Sequence, residues 1–110
     1  MLGINPPVYD FAWFDLWSKP AGLLALLHNL RRSGNNVRLI DCLYEARTKP
    51  LGLGRWKTEQ TLADKPPPYR DLEIPRRYYR FGLGRDEFRK RLASCPKPDV
   101  ILVTSAMTYW

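Results

Sequence analysis

Apolar side chains recur at helical spacing in one segment near the start of the chain. The apolar stripe of this segment consists of Leu23, Leu26, Leu27 and Leu30. These positions follow the i, i+3, i+4, i+7 rule, which indicates an amphipathic helix. Pro20 suits the first helical position, and Gly34 suits the left-handed residue that ends a helix. The pattern therefore predicts a helix between these two residues.

Three short apolar runs predict β-strands. Residues 1–5 are followed by two prolines, residues 37–41 follow the helix, and residues 100–104 are almost continuously apolar. Because the third run lacks alternation, we expect a strand that is buried on both faces, as in parallel sheets. The order of the elements predicts an α/β fold with a short parallel sheet in which the first strand is central. The expected strand order is 2-1-3.

The chain divides into three segments that together form one partial α/β domain. Residues 1–44 form a βαβ unit, in which we expect the aromatic residues 8–20 to be mainly a loop. Residues 85–110 form a helix and a strand. Residues 45–84 are basic and rich in proline and glycine, and they predict a long, irregular insertion, since so long a connection is uncommon inside a compact domain. Three strands leave a sheet edge open, so we expect a domain truncated at the C-terminus.

Polar residues that follow the first and third predicted strands form a candidate ligand site. In open α/β sheets, ligands bind beyond the carboxyl ends of the strands, where the strand order reverses. With the order 2-1-3, that point lies between the first and third strands. The residues expected there are Asn5, Pro6, Thr104 and Ser105, with Met107 close by. Their short polar groups suit hydrogen bonds to a ligand or, alternatively, to the local backbone alone.

The net charge of +7 comes from 18 lysine and arginine residues against 11 acidic residues. It is concentrated in residues 76–91, which contain seven basic and two acidic side chains. The segment opens with Arg76, Arg77, Tyr78, Tyr79 and Arg80. Such a patch could stack on bases and neutralise phosphates, which makes nucleic acid or an acidic partner the alternative ligand. Nucleic acid is the less favoured partner, because no recognised binding module frames the patch and its arginines could equally pair with acids elsewhere.

Several catalytic and cofactor motifs are excluded by their spacing. Both GLGR segments lack the third glycine of a dinucleotide-binding motif, which Lys57 and Glu87 replace. No P-loop, GxSxG or HExxH motif occurs. Cys42 and Cys95 match neither a zinc pattern nor a disulfide framework, and His28 falls off the apolar stripe. No run approaches the roughly 20 apolar residues of a membrane span, and the first residues lack the features of a secretory signal, so we expect a cytoplasmic protein.

Three segments occur in a distinctive order and spacing. They are INPP at 4–7, KPAGLLALLHNLRRSGNNVRLIDC at 19–42 and KPDVILVTSAMTYW at 97–110. Together they resemble the N-terminal region of radical SAM proteins that carry a cobalamin-binding-type domain. The resemblance implies a Rossmann-like, flavodoxin-type, three-layer fold that precedes a catalytic barrel. In such proteins the barrel binds S-adenosylmethionine and an iron–sulfur cluster through a CxxxCxxC motif.

Two motifs of that family are missing from this chain. It has no CxxxCxxC motif, so its two cysteines cannot hold an iron–sulfur cluster, and it has no Asp-x-His-x-x-Gly motif to ligate cobalt. The resemblance therefore implies a chain that is not catalytic alone and that holds or shields a cofactor beside the absent barrel, its partner. Cobalamin is left open as that cofactor, because relatives of the radical type often lack the histidine motif. A binding module that uses residues 76–91, or a pure interaction domain, are the alternatives.

Overall fold

Eight strands and three helices make up the described part of the computed structural model, which comprises residues 1–12 and 19–105. In chain order the elements are β1 (Leu2–Asn5), β2 (Val8–Asp10), α1 (Ala21–Arg32), β3 (Arg38–Asp41), β4 (Arg47–Gly52), β5 (Arg55–Thr58), β6 (Gln60–Leu62), α2 (Pro67–Arg70), β7 (Tyr79–Phe81), α3 (Arg85–Ala93) and β8 (Ile101–Val103). The strands form a sheet β3-β1-β8, a sheet β2-β7-β6 and a hairpin β4-β5. No helix of the described residues is long and apolar enough to span a bilayer.

The sheet β3-β1-β8 is parallel and has the predicted order, with the first strand in the centre. The predicted helix is also confirmed. It begins after Pro20 and ends before Gly34, whose φ of 86° is the left-handed conformation expected at a helix end. These elements establish a mixed α/β class.

The helices α1 and α3 lie on opposite faces of this sheet. Successive residues of a strand point to opposite faces, so Gly3 faces away from its neighbours Leu2 and Ile4. A Cβ at Gly3 would collide with Leu27 of α1, which places α1 over that face. Phe88 of α3 packs against the buried cluster on the other face. That cluster consists of Leu2, Ile4, Ile40, Cys42, Ala46 and Leu83.

The strand β8 is much more exposed than its sequence predicts. The expectation of burial on both faces is wrong, because Ile101 is 52% exposed and Val103 is 63% exposed. The physical reason is position, since β8 is an edge strand and the cluster beneath the sheet contains no residue from it. An apolar run therefore marked an edge of this sheet and not its interior.

The expectation that the insertion at 45–84 is irregular is also wrong. It contains β4, β5, β6, α2 and β7, and its glycines make turns between short strands. Gly52, Leu53 and Gly54 all have positive φ angles, which lets the chain reverse tightly between β4 and β5. Regular structure is thus compatible with the high glycine content of this segment.

Part of the predicted aromatic loop is a strand. Val8–Asp10 forms β2, which pairs antiparallel with β7, while β7 also pairs antiparallel with β6. Phe81 is fully buried in this sheet and forms a second core cluster with Val8 and Leu43. Residues 13–18 of the same predicted loop lie outside the described residues.

Candidate functional site

The carboxyl ends of the parallel strands bring two of the predicted residues together. Ile4 of β1 pairs with Val103 of β8. The next residue, Thr104, donates its backbone N–H to the Ile4 carbonyl at 3.0 Å and so lies beside Asn5. On the other side of β1, Asn5 pairs with Asp41 of β3. We call these strand ends, with Pro6 and Ser105, the carboxyl edge.

Asp41 holds the central part of the carboxyl edge in place. Its Oδ1 accepts a hydrogen bond of 2.8 Å from the Asn5 side-chain amide. The same oxygen accepts the backbone N–H groups of Leu43 at 3.1 Å and Tyr44 at 3.0 Å. This pattern is typical of an aspartate that stabilises a turn after a strand. Asn5 is only 6% exposed, so its amide positions the edge more than it offers a free donor.

The more accessible polar groups of the carboxyl edge come from the end of β8. Pro6 and Thr104 are half-buried, and Ser105 is exposed. Met107, the remaining residue predicted here, lies outside the described residues. The edge therefore presents two hydroxyl groups next to the exposed apolar strand β8.

The described residues do not supply a ligand set for a metal. They contain no group of three or more histidine, cysteine or acidic side chains that could hold an ion. His28 is exposed on α1, as its sequence position predicts. Cys42 is fully buried, and burial, followed by the charges of Glu45 and Asp41, raises the pKa of its thiol to about 11. Such a thiol stays protonated and inert at neutral pH.

The basic segment at 76–80 does not form one continuous surface. Arg76 and Arg77 are exposed, whereas Tyr79 packs against the buried cluster around Phe81. Arg80 lies on the opposite face of β7 from Tyr79, since the residues of a strand alternate. Its guanidinium donates to the Thr61 hydroxyl at 3.2 Å.

The basic residues of α3 contact nearby acids. The pairs are Arg89–Asp86 at 4.0 Å, Lys90–Glu87 at 3.8 Å, Arg91–Glu87 at 3.4 Å and Arg91–Glu45 at 3.0 Å. Exposed pairs of this kind contribute little to stability, about 0–1 kcal/mol each. They nevertheless lower the positive potential that the sequence of residues 85–91 suggests.

An aromatic pocket of about 490 Å³ lies at one end of the sheet β2-β7-β6. Its lining consists of Tyr9, Asp10, Phe11, Tyr69, Leu72, Ile74, Pro75, Arg76 and Tyr78. Of the residues predicted for the basic patch, only Arg76 and Tyr78 take part. Burial, together with Tyr69, Asp10 and Tyr9, raises the pKa of the Tyr78 hydroxyl. This phenol therefore stays neutral and keeps its proton as a hydrogen-bond donor.

Comparisons with protein-family models, with curated proteins and with solved structures find no match. The chemistry of the two sites therefore has to be argued from their own residues.

Sequence reasoning missed Asp41 at the carboxyl edge and most of the aromatic pocket. Asp41 ends a predicted strand, and an aspartate followed by a turn was a signal that could have identified it. The pocket left no such signal. Its residues come from β2, from α2 and the residues after it, and from the start of β7, and only the pairing of β2 with β7 brings them together.

Proposed function

We propose that this chain is a non-catalytic, cofactor-holding domain of the cobalamin-binding type, from the N-terminal region of a radical SAM enzyme. The observation that carries the proposal is the parallel sheet β3-β1-β8, with α1 and α3 on opposite faces. In a Rossmann-like sheet this arrangement opens a crevice at the carboxyl ends of β1 and β8, where Asn5 and Thr104 lie. The segment resemblance supplies the family and the cofactor class.

The residues of the carboxyl edge fit a corrinoid in one respect and limit it in another. A corrin ring carries peripheral amide groups, which the hydroxyls of Thr104 and Ser105 can meet as donors or acceptors. Among the described residues, no histidine lies at this edge, so cobalt would receive no axial ligand from them. Cobalamin, when bound, supplies alkyl-transfer and radical chemistry that protein side chains cannot perform. The chain's own contribution is to orient and shield it.

The exposed face of β8 is consistent with a neighbouring catalytic barrel as the partner. Val100, Ile101 and Val103 are 41%, 52% and 63% exposed along one edge strand. Natural proteins normally cover or charge such an edge to prevent association. We propose that the iron–sulfur cluster and S-adenosylmethionine belong to that barrel, since this chain has no CxxxCxxC motif.

A titration of the chain with hydroxocobalamin tests the proposal. We expect a shift in the visible spectrum and co-elution of the corrinoid in gel filtration. Replacing both hydroxyls, in Thr104→Val with Ser105→Ala, removes two hydrogen-bonding groups and should weaken binding by about 10-fold, at about 0.5–1.5 kcal/mol for each bond.

Ser94→Ala is the matched control for this experiment. Ser94 is an exposed hydroxyl at the other end of α3, and it bonds only locally to the Arg91 carbonyl at 2.7 Å. Its removal should leave the corrinoid affinity unchanged. Absence of any spectral change and of co-elution would reject cofactor binding by this chain.

The alternative, a nucleic-acid or acidic-partner module, is less well supported by the geometry. The aromatic and basic residues of 76–80 point to different faces, and several arginines of α3 contact acids. A phosphate-binding patch would show an affinity that falls by roughly 0.7–0.9 log units per log unit of salt for each phosphate neutralised. We therefore rank it below the cofactor-holding function.

A further inference from the structure

The aromatic pocket is a second candidate ligand site, separate from the carboxyl edge. Phe11 is its central ring. The centroid of Phe11 lies 4.8 Å from that of Tyr78 and 5.9 Å from that of Tyr69, with the Tyr69 ring nearly perpendicular at 88°. Tyr9 extends the wall, with its centroid 6.2 Å from Tyr78. These rings form a built aromatic wall on which a flat ligand can pack.

Asp10 places one negative group inside this aromatic wall. The residue is only 5% exposed, yet it lines the pocket. Its Oδ1 accepts the backbone N–H of Phe11 at 2.6 Å, which fixes the orientation of the carboxylate. A carboxylate has about four acceptor sites, so this one can accept further N–H donors from a ligand. The pocket therefore selects for a ligand with donors on one edge.

Arg76 adds a positive group at the rim of the same pocket. It lines the pocket and is exposed, whereas Asp10 lies deep within it. The volume of about 490 Å³ lies within the range of about 300–1,000 Å³ that is usual for small-molecule pockets. A buried acceptor, aromatic walls and an exposed guanidinium match a flat ring with N–H donors at one end and an anionic group at the other.

We infer that the aromatic pocket binds a nucleoside monophosphate, with a preference for a guanine base. The base packs against Phe11 and Tyr78, its two adjacent N–H donors face Asp10, and its phosphate meets Arg76. Guanine is favoured over adenine because only guanine presents two neighbouring donors to one carboxylate.

Two other ligand classes fit these residues less well. An organic cation suits aromatic rings and a carboxylate, but it would lie in the same pocket as the Arg76 guanidinium. A free phosphate suits Arg76 but would leave the apolar lining of Leu72, Ile74 and Pro75 without a purpose. Only a ligand with an aromatic body uses all three parts of the pocket.

Calorimetric titration of the whole chain with GMP, AMP and guanosine tests the inference. We expect GMP to bind about 10-fold more tightly than AMP, since a bidentate pair discriminates by about 1–3 kcal/mol. Asp10→Asn keeps an oxygen for the Phe11 N–H but opposes the base donors, so it should abolish the preference for GMP over AMP. Arg76→Gln should weaken GMP and leave guanosine unchanged.

Arg77→Gln is the matched control, because Arg77 is exposed like Arg76 but does not line the pocket. It should leave the affinity for GMP unchanged. Equal affinities for GMP and AMP, an unchanged preference in Asp10→Asn, or displacement of GMP by tetramethylammonium would each overturn the inference. The inference is independent of the proposed cobalamin site, because the Thr104→Val, Ser105→Ala variant should retain GMP binding.

Discussion

Gly82 joins the antiparallel sheet to the segment that follows β3. Its φ of 106° lies in the left-handed region, and a Cβ here would lie 2.8 Å from the Cys42 carbonyl oxygen. The same carbonyl accepts the N–H of Leu83 at 3.0 Å, while Gly82 donates its own N–H to the Glu59 carbonyl at 2.9 Å. Three segments therefore meet at a position where only glycine fits without strain.

Gly82→Ala should destabilise the fold by about 2–4 kcal/mol, through backbone strain and overpacking against a carbonyl that cannot move freely. Urea unfolding monitored by tryptophan fluorescence measures this change. Gly22→Ala is the control, since Gly22 lies in α1 with no atom near its missing Cβ. That substitution should stabilise the helix by up to about 1 kcal/mol. Equal effects of the two substitutions would refute the role given to Gly82.

Cys42 makes stability sensitive to alkaline pH. Its thiol pKa rises from 9.0 to about 11 in the folded chain because the side chain is buried near acidic groups. Between these values the unfolded chain has lost a proton that the folded chain keeps, so the free energy of unfolding falls as the pH rises. The expected loss is about 2–3 kcal/mol between pH 9 and pH 11. Cys42→Ala should remove this slope, whereas Cys95→Ala should retain it, and matching slopes would contradict the assignment.

The turn after β3 depends on the Asp41 carboxylate. One oxygen accepts three hydrogen bonds, from the Asn5 amide and from the N–H groups of Leu43 and Tyr44. The adjoining Glu45 contacts Arg91 of α3 at 3.0 Å, so the turn also connects the sheet to that helix. The order of the carboxyl edge is thus set by this element and not by the strands alone.

Asp41→Ala should cost about 2–3 kcal/mol, because it leaves the buried Asn5 amide and two N–H groups without their acceptor. Asp41→Asn retains an acceptor oxygen and should cost less than half as much. Thermal unfolding of the two variants measures the difference. If alanine and asparagine destabilise equally, the charge at position 41 and not its hydrogen bonds stabilises the turn.

The elements that could be predicted from the sequence are those with local signals. The helix α1 has a complete apolar stripe, and β1 and β3 flank it in a βαβ unit. The sheet β2-β7-β6 could not be predicted, because each strand has only three residues and Val8 pairs with the distant Phe81. Strands this short show no period, so their pairing depends on tertiary contacts.

The candidate site shows the same limit. Asn5 and Thr104 could be placed together because each ends a recognisable strand and parallel strands align their carboxyl ends. The exposure of β8 could not be predicted, since an apolar run does not show which side of it a core covers. The aromatic pocket likewise depends on chain segments that no periodicity connects.

At the scale of the whole molecule, the two candidate sites belong to different sheets. The carboxyl edge is built on β3-β1-β8, whereas the aromatic pocket is built on β2-β7-β6 and α2. Gly82 and the turn after β3 link the two sheets. A ligand at either site can therefore be located by which sheet responds to it.

An amide NMR titration of the chain with hydroxocobalamin tests the central claim most directly. The account predicts chemical-shift changes at Asn5, Thr104 and Ser105 and in the turn at 42–44, with none at the amino end of the sheet around Asn36 and Lys97. Shifts confined to the amino end or to the aromatic pocket, or a spectrum unchanged by excess cobalamin, would contradict a cofactor-holding carboxyl edge.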